Sequence, residues 1–109
     1  MDAVRKEIEE LVQKELDSAN SMFPLFHSAI EGYAVILEEM QETGEALEKS
    51  NMYLESLWFQ IRKNISGHVT NTMADGIKLY AIKTATEAVQ VAAMAQKYLD
   101  SMEVRNGQD

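Results

Sequence analysis

Apolar residues recur at helical intervals along almost the whole chain. Val4, Ile8, Leu11, Val12 and Leu16 form one stripe, which predicts a first helix over residues 2–20. Phe23-Pro24-Leu25-Phe26 then interrupts the pattern, because proline cannot continue a helix and biases the residue before it toward extended angles. Ser28-Ala29-Ile30-Glu31 has the spacing of a capping box. A second helix therefore opens at Ser28, with Ile30, Tyr33, Leu37, Met40, Gly44 and Leu47 as its buried stripe. A third, shorter helix is expected over residues 51–64, burying Leu54, Leu57, Trp58 and Ile61. Residues 65–71, with Gly67, read as a loop. A fourth helix is expected from Thr72, in a looser capping box with Asp75, to about Val104. Its seam runs through Ile77, Tyr80, Ala81, Thr84, Ala85, Ala88, Val91, Ala92, Ala95, Tyr98, Leu99 and Met102. No alternating strand pattern and no internal repeat interrupts this series. The expectation is an all-α chain of four helices.

Composition narrows the setting. A length of 109 residues predicts one domain, spanning 1–109, with a core modest enough that oligomerisation would help stability. Hydrophobic residues make up 46%, charged residues 26%, and there is one proline, which sets the chain apart from disordered and low-complexity sequences. The net charge of −8 argues against a nucleic-acid polymer or an anionic membrane as the main partner. With no cysteine there is neither a disulfide nor thiolate chemistry. The N-terminus has no apolar signal core and no uncharged run is long enough to span a bilayer. These features predict a cytoplasmic protein.

The acidic residues carry the candidate chemistry. In Glu38-Glu39-Met40-Gln41-Glu42, helical rotation puts Glu38 and Glu42 about 40° apart and Glu39 about 60° from Glu42. Three carboxylates in one arc repel one another unless a cation sits among them, and hard divalent cations take such oxygen ligands. Glu87 is the one charge in an apolar run from Thr84 to Gln96, with Gln90 a turn later. A carboxylate beside a seam of small residues is costly unless paired or metal-bound. The same helical rotation sets the acidic arc of the second helix about 100° from its apolar stripe, so another helix or subunit must cover that side if a site forms.

Glu38-Glu39-x-x-Glu42 followed by Glu87-x-x-Gln90 resembles the paired acidic signature of the MazG-like superfamily, the all-α nucleoside triphosphate pyrophosphohydrolases. Phe23-Pro24-Leu25-Phe26-His27-Ser28 and Glu31-Gly32-Tyr33-Ala34-Val35-Ile36-Leu37 resemble the segment before the motif in small MazG-like proteins of phages and bacteria. Ala88-Val89-Gln90-Val91-Ala92-Ala93-Met94-Ala95 is similar to their final helix. The three segments together cover under half of the chain, in the family's order.

The resemblance implies a four-helix MazG-like bundle completed by oligomerisation, as a homodimer or homotetramer. It also implies cleavage of a (d)NTP to the (d)NMP and pyrophosphate, with Mg²⁺ or Mn²⁺ held by Glu39, Glu42, Glu87 and Gln90. Glu38 is then the base toward the attacking water or a ligand to a second metal. Lys83, Lys63 and Phe26 are candidates for substrate contact. Two features depart from the family. Gln90 stands where an aspartate is usual, which lowers the charge of the site. The motifs are also far apart, with 45 positions from Glu42 to Glu87, room for a further helix and a loop.

Other residues have ordinary roles at hand. His27 and His68 suit a helix start and a loop, and neither follows a glutamate at the Glu-x-x-His spacing of di-iron bundles, which disfavours that reading. Trp58 fits the core by its spacing from Leu54 and Ile61. Seven methionines suit an adaptable helix interface. The alternative function is a non-catalytic helical interaction protein of the same fold, in which the glutamates confer solubility.

Overall fold

The structure, a computed structural model, describes residues 1–108. It consists of three helices, α1 (Asp2–Asn20), α2 (Ala29–Arg62) and α3 (Gly67–Gln108), with no strand among the described residues. The all-α expectation holds, and α1 has the expected bounds. The expectation of four helices does not, because the second and third are one continuous helix.

Residues 48–51 supply no break. The Ser50 hydroxyl donates to the Ile77 carbonyl at 3.2 Å rather than capping a new helix. The Asn51 amide reaches one turn forward to Glu55 at 3.4 Å. The expected loop over residues 65–71 is also shorter, since α3 already begins at Gly67. Thr72 does not cap: its hydroxyl bonds back to the His68 carbonyl at 3.1 Å, inside the helix.

Both ends of α2 have a local cause. At the start of α2 the Glu31 N–H donates to the Ser28 hydroxyl oxygen at 3.0 Å, the N-cap bond expected of that box. At its end Asn64 takes a left-handed conformation, φ 54°. The Ile65 N–H then reaches the Gln60 carbonyl at 3.0 Å and the Asn64 N–H the Ile61 carbonyl at 3.2 Å, the paired bonds of a Schellman motif. Asparagine tolerates this geometry and a β-branched residue does not. Asn64→Val is thus expected to cost about 1–2 kcal/mol and Asn64→Gly to be neutral or stabilising, as urea unfolding would show.

The chain forms two compact units, with α2 and α3 each running through both. The first comprises Met1–Met40 with the part of α3 from Glu87 onward. Its core is Leu16, Phe26, Ala93 and Met94, with Val12, Ala19, Val35, Ile36 and Tyr98 packed around them. The segment after α1 is pinned by the Phe26 N–H, which donates to the Ser101 hydroxyl oxygen at 2.9 Å, while that hydroxyl donates to the Lys97 carbonyl at 2.7 Å. Gly32 is needed here: a Cβ at this position would lie 2.7 Å from the Tyr98 ring. The second unit is Gln41–Thr86. In it Ala46 and Ser50 are buried, and the Tyr53 ring stacks on Tyr80 with centroids 5.8 Å apart.

The faces of α2 correct the expected burial. Gly32, Ile36, Glu39, Thr43, Ala46, Ser50, Tyr53, Leu57 and Gln60 follow one another at steps of three and four, and all are buried or half-buried. Leu57 was expected there; the rest of the predicted stripe lies one residue further on, about 100° around the helix. There Ile30, Tyr33, Leu37, Met40, Leu47, Leu54, Trp58 and Ile61 are all exposed, from 40% at Leu37 to 80% at Ile30. Small and polar side chains on the inner face permit close approach, which leaves the bulkier stripe outward. On α3 the inner seam runs through Met73, Ile77, Tyr80, Thr84, Glu87, Val91, Met94, Tyr98 and Ser101. Of the predicted seam, Ile77, Tyr80, Thr84, Val91, Ala95, Tyr98 and Met102 are half-buried, whereas Ala81, Ala85, Ala88, Ala92 and Leu99 are exposed. Seams at steps of three and four over several turns are coiled-coil spacings.

Candidate metal centre

Two of the seam positions just described are carboxylates. Glu39 on α2 and Glu87 on α3 stand where knobs of the seam otherwise stand, and both are half-buried. One turn beyond Glu39, Glu42 is exposed. Glu39, Glu42 and Glu87 each offer an oxygen atom such that all three lie within 4.8 Å of one another. Like charges at that separation in a partly desolvated seam repel strongly. Such a set suits a hard divalent cation, which takes carboxylate oxygens at a single centre.

Gln90 closes the group. With its amide nitrogen turned inward, as its hydrogen-bond surroundings require, it donates to Glu39 Oε2 at 2.9 Å and to Glu87 Oε2 at 3.0 Å. The one neutral member of the quartet therefore presents partial positive charge to two carboxylates, one on each helix. To act as a metal ligand the same side chain must turn its carbonyl oxygen, the amide's acceptor end, inward.

The remaining site candidates from the sequence lie elsewhere. Glu38 is exposed and is not one of the three clustered carboxylates. Lys83 is exposed on α3. Lys63, also exposed, lies just past α2 with its ammonium 5.9 Å from the centre of the Phe59 ring. Phe26 is buried in the core of the first unit, its ring under the Lys97 ammonium at 4.9 Å. Trp58, expected in the core, is 59% exposed with the Arg62 guanidinium over its ring.

No protein family, curated protein or solved structure matches this chain. The site therefore rests on its own residues. No helix among the described residues is long and apolar enough to cross a membrane.

Proposed function

We propose that the chain is a metal-dependent nucleotide pyrophosphohydrolase of MazG-like type, cleaving a (d)NTP to the (d)NMP and pyrophosphate. The observation that carries this reading is the convergence of Glu39, Glu42 and Glu87 oxygens within 4.8 Å on two otherwise coiled-coil-like seams. Carboxylates opposed across a helical seam repel each other, and a cation bound between them would relieve that repulsion. Glu39, Glu42 and Glu87 would hold Mg²⁺ or Mn²⁺, with Gln90 completing the set through its carbonyl oxygen. Bound there, the cation supplies neutralisation of phosphate charge and acidification of the attacking water.

The chain's own residues supply orientation and proton transfer. In the reaction, the water oxygen forms a bond to the α-phosphorus as the bridging α–β P–O bond breaks, and pyrophosphate leaves with that electron pair. The water's proton passes to a carboxylate; Glu38, beside the ligand set on α2 and exposed, is the base this reading assigns. Its acidic surroundings favour metal-bridged phosphate over a bare polyanion.

Assembly is part of the proposal. The outward stripe of α2, together with exposed Val4, Ile8 and Leu11 on α1, would be covered in a homodimer or homotetramer. The same stripe also gives the alternative, a non-catalytic helical interaction protein, its best support. Metal chemistry separates the two. In the parent chain Gln90 adds no charge to the site, so Gln90→Asp should tighten Mg²⁺ binding, because attraction grows with ligand charge. It should also lower stability without metal, since the Gln90 amide's bonds to Glu39 and Glu87 would be replaced by repulsion. Calorimetric Mg²⁺ titration of both forms tests this: equal affinities would remove Gln90 from the ligand set, and no Mg²⁺ or Mn²⁺ binding by either form would favour the interaction protein.

A further inference from the structure

The second unit contains a cleft of about 440 Å³ lined by Lys49, Met52, Tyr53, Ser56, Met73 and Tyr80. That volume lies within the range of small-molecule sites. Tyr53 and Tyr80 meet in it as a near-parallel stack, with 19° between ring planes. The Lys49 ammonium stands 5.4 Å from the centre of the Tyr80 ring.

The backbone holds the stack in place. A Cβ at Gly76 would lie 2.5–2.7 Å from three atoms of the Tyr53 ring, so the ring packs closely against bare helix backbone. One turn away, the bond from the Ser50 hydroxyl to the Ile77 carbonyl ties α2 to α3. Two half-buried rings, two thioethers, one ammonium and one hydroxyl thus line a cleft with no carboxylate of its own, in a chain of net charge −8.

We propose that this cleft binds the planar base of a nucleotide. The inference rests on the pyrophosphohydrolase reading and deepens it by naming where the base goes. Base rings stack on tyrosine faces with little regard to sequence. Polarisable methionine sulfurs suit ring edges. Lys49, a donor without acceptor capacity, complements ring carbonyl oxygens, and Ser56 and the two phenols can both donate and accept.

Register along α2 supports the same assignment. Lys49 follows Glu42 by seven residues within the second unit, two turns on the same face and roughly 10 Å along the axis. A triphosphate held near Glu42 would extend its nucleoside over that span. A shallower groove lined by Gln41, Gly44, Glu45 and Glu48 shares Lys49 and Met52 with the cleft. It is floored at Gly44, where an added Cβ would meet nothing within 4 Å.

The test uses the full chain and separates the cleft from the chemistry. Guanosine and thymidine, which lack phosphate, are titrated without metal while the ring resonances of the four tyrosines are followed. The expected result is movement of Tyr53 and Tyr80, with Tyr33 and Tyr98 unmoved as internal controls. In parallel, hydrolysis of the best triphosphate is measured for Tyr80→Leu and Lys49→Met. Loss of one stacking ring should raise KM about 5-fold or more with little change in kcat. Lys49 is exposed, so Lys49→Met reports even if Tyr80→Leu fails to fold, and its KM should also rise. Nucleoside-induced shifts without any triphosphate hydrolysis would uphold the cleft and overturn the pyrophosphohydrolase. Hydrolysis by the parent chain with unmoved Tyr53 and Tyr80 resonances and an unchanged KM in Lys49→Met would overturn the cleft alone, leaving the two rings as a clasp between helices. No shifts and no hydrolysis would overturn both.

Discussion

Mg²⁺ or Mn²⁺ should raise the melting temperature of the parent chain, and Glu87→Gln and Glu42→Gln should each abolish that rise. A cation that binds only the folded chain at 100 times its Kd adds about 2.7 kcal/mol, which for a domain of this size is a shift on the order of 10 °C. Either substitution removes one of the three carboxylates whose oxygens converge within 4.8 Å. Since even partners of metal ligands change affinity or activity about 10–100-fold when lost, loss of a ligand should lower hydrolysis at least ~100-fold. Without metal the expected difference from the parent is small, since each substitution removes one like charge from the cluster and also alters the contacts of that carboxylate, such as the Gln90 bond to Glu87. Thermal scans with and without millimolar metal read both effects. A variant that keeps the full metal shift would show that its carboxylate stands outside the coordination set.

The second large effect concerns the outward stripe of α2. Light scattering is expected to give a dimer or tetramer at micromolar concentration, with Leu37, Leu54, Trp58 and Ile61 covered. These four are 40–59% exposed in the single chain, and along α2 they belong to a stripe stepping by three and four, the spacing of a helix that packs on another. Tryptophan is enriched among residues that dominate interfaces, so Trp58→Ala should weaken association by about 2 kcal/mol or more, roughly 30-fold in Kd. A lysine at Leu37, where charge would be desolvated on assembly, should dissociate the oligomer more fully. A stable monomer of the parent chain would contradict this part of the account, and the carboxylate cluster would then have to work in a single copy.

Much of the fold was legible in the sequence where local chemistry decides it. The stripe from Val4 to Leu16 delimited α1, and the Ser28 cap marked the start of α2, because caps and periodicity act over one or two turns. The join at residues 48–51 was not legible: the apolar pattern breaks there, and only the Ile77 carbonyl, 27 positions on, shows where the Ser50 hydroxyl goes. The buried face of α2 was misassigned for a related reason. Hydrophobicity marks the stripe through Ile30 and Trp58, while close approach selects the face with Gly32, Ala46 and Ser50. The two faces differ by one residue, and periodicity alone cannot rank a small face against a bulky one.

The same rotation explains the site. Measured from the bulky stripe, Glu39 looked outward; measured from the small-residue seam, it faces inward with Glu87. Glu39, Glu42, Glu87 and Gln90 were all legible as candidates, but the hydrogen bond from Gln90 to Glu39 depends on the pairing of two helices, between residues 51 positions apart in sequence. The cleft around Tyr53 and Tyr80 was not legible at all, since nothing in either local sequence says that the two rings meet.

The glutamate cluster is expected to support α–β bond cleavage. The most direct test is a panel of all common NTPs and dNTPs incubated with the full chain and Mg²⁺ or Mn²⁺, with monophosphate and pyrophosphate quantified together. The account predicts equimolar monophosphate and pyrophosphate from at least one triphosphate, dependent on added metal and absent in Glu42→Gln. Full turnover by Glu42→Gln, products other than this pair, or no product from any triphosphate with either metal would contradict it.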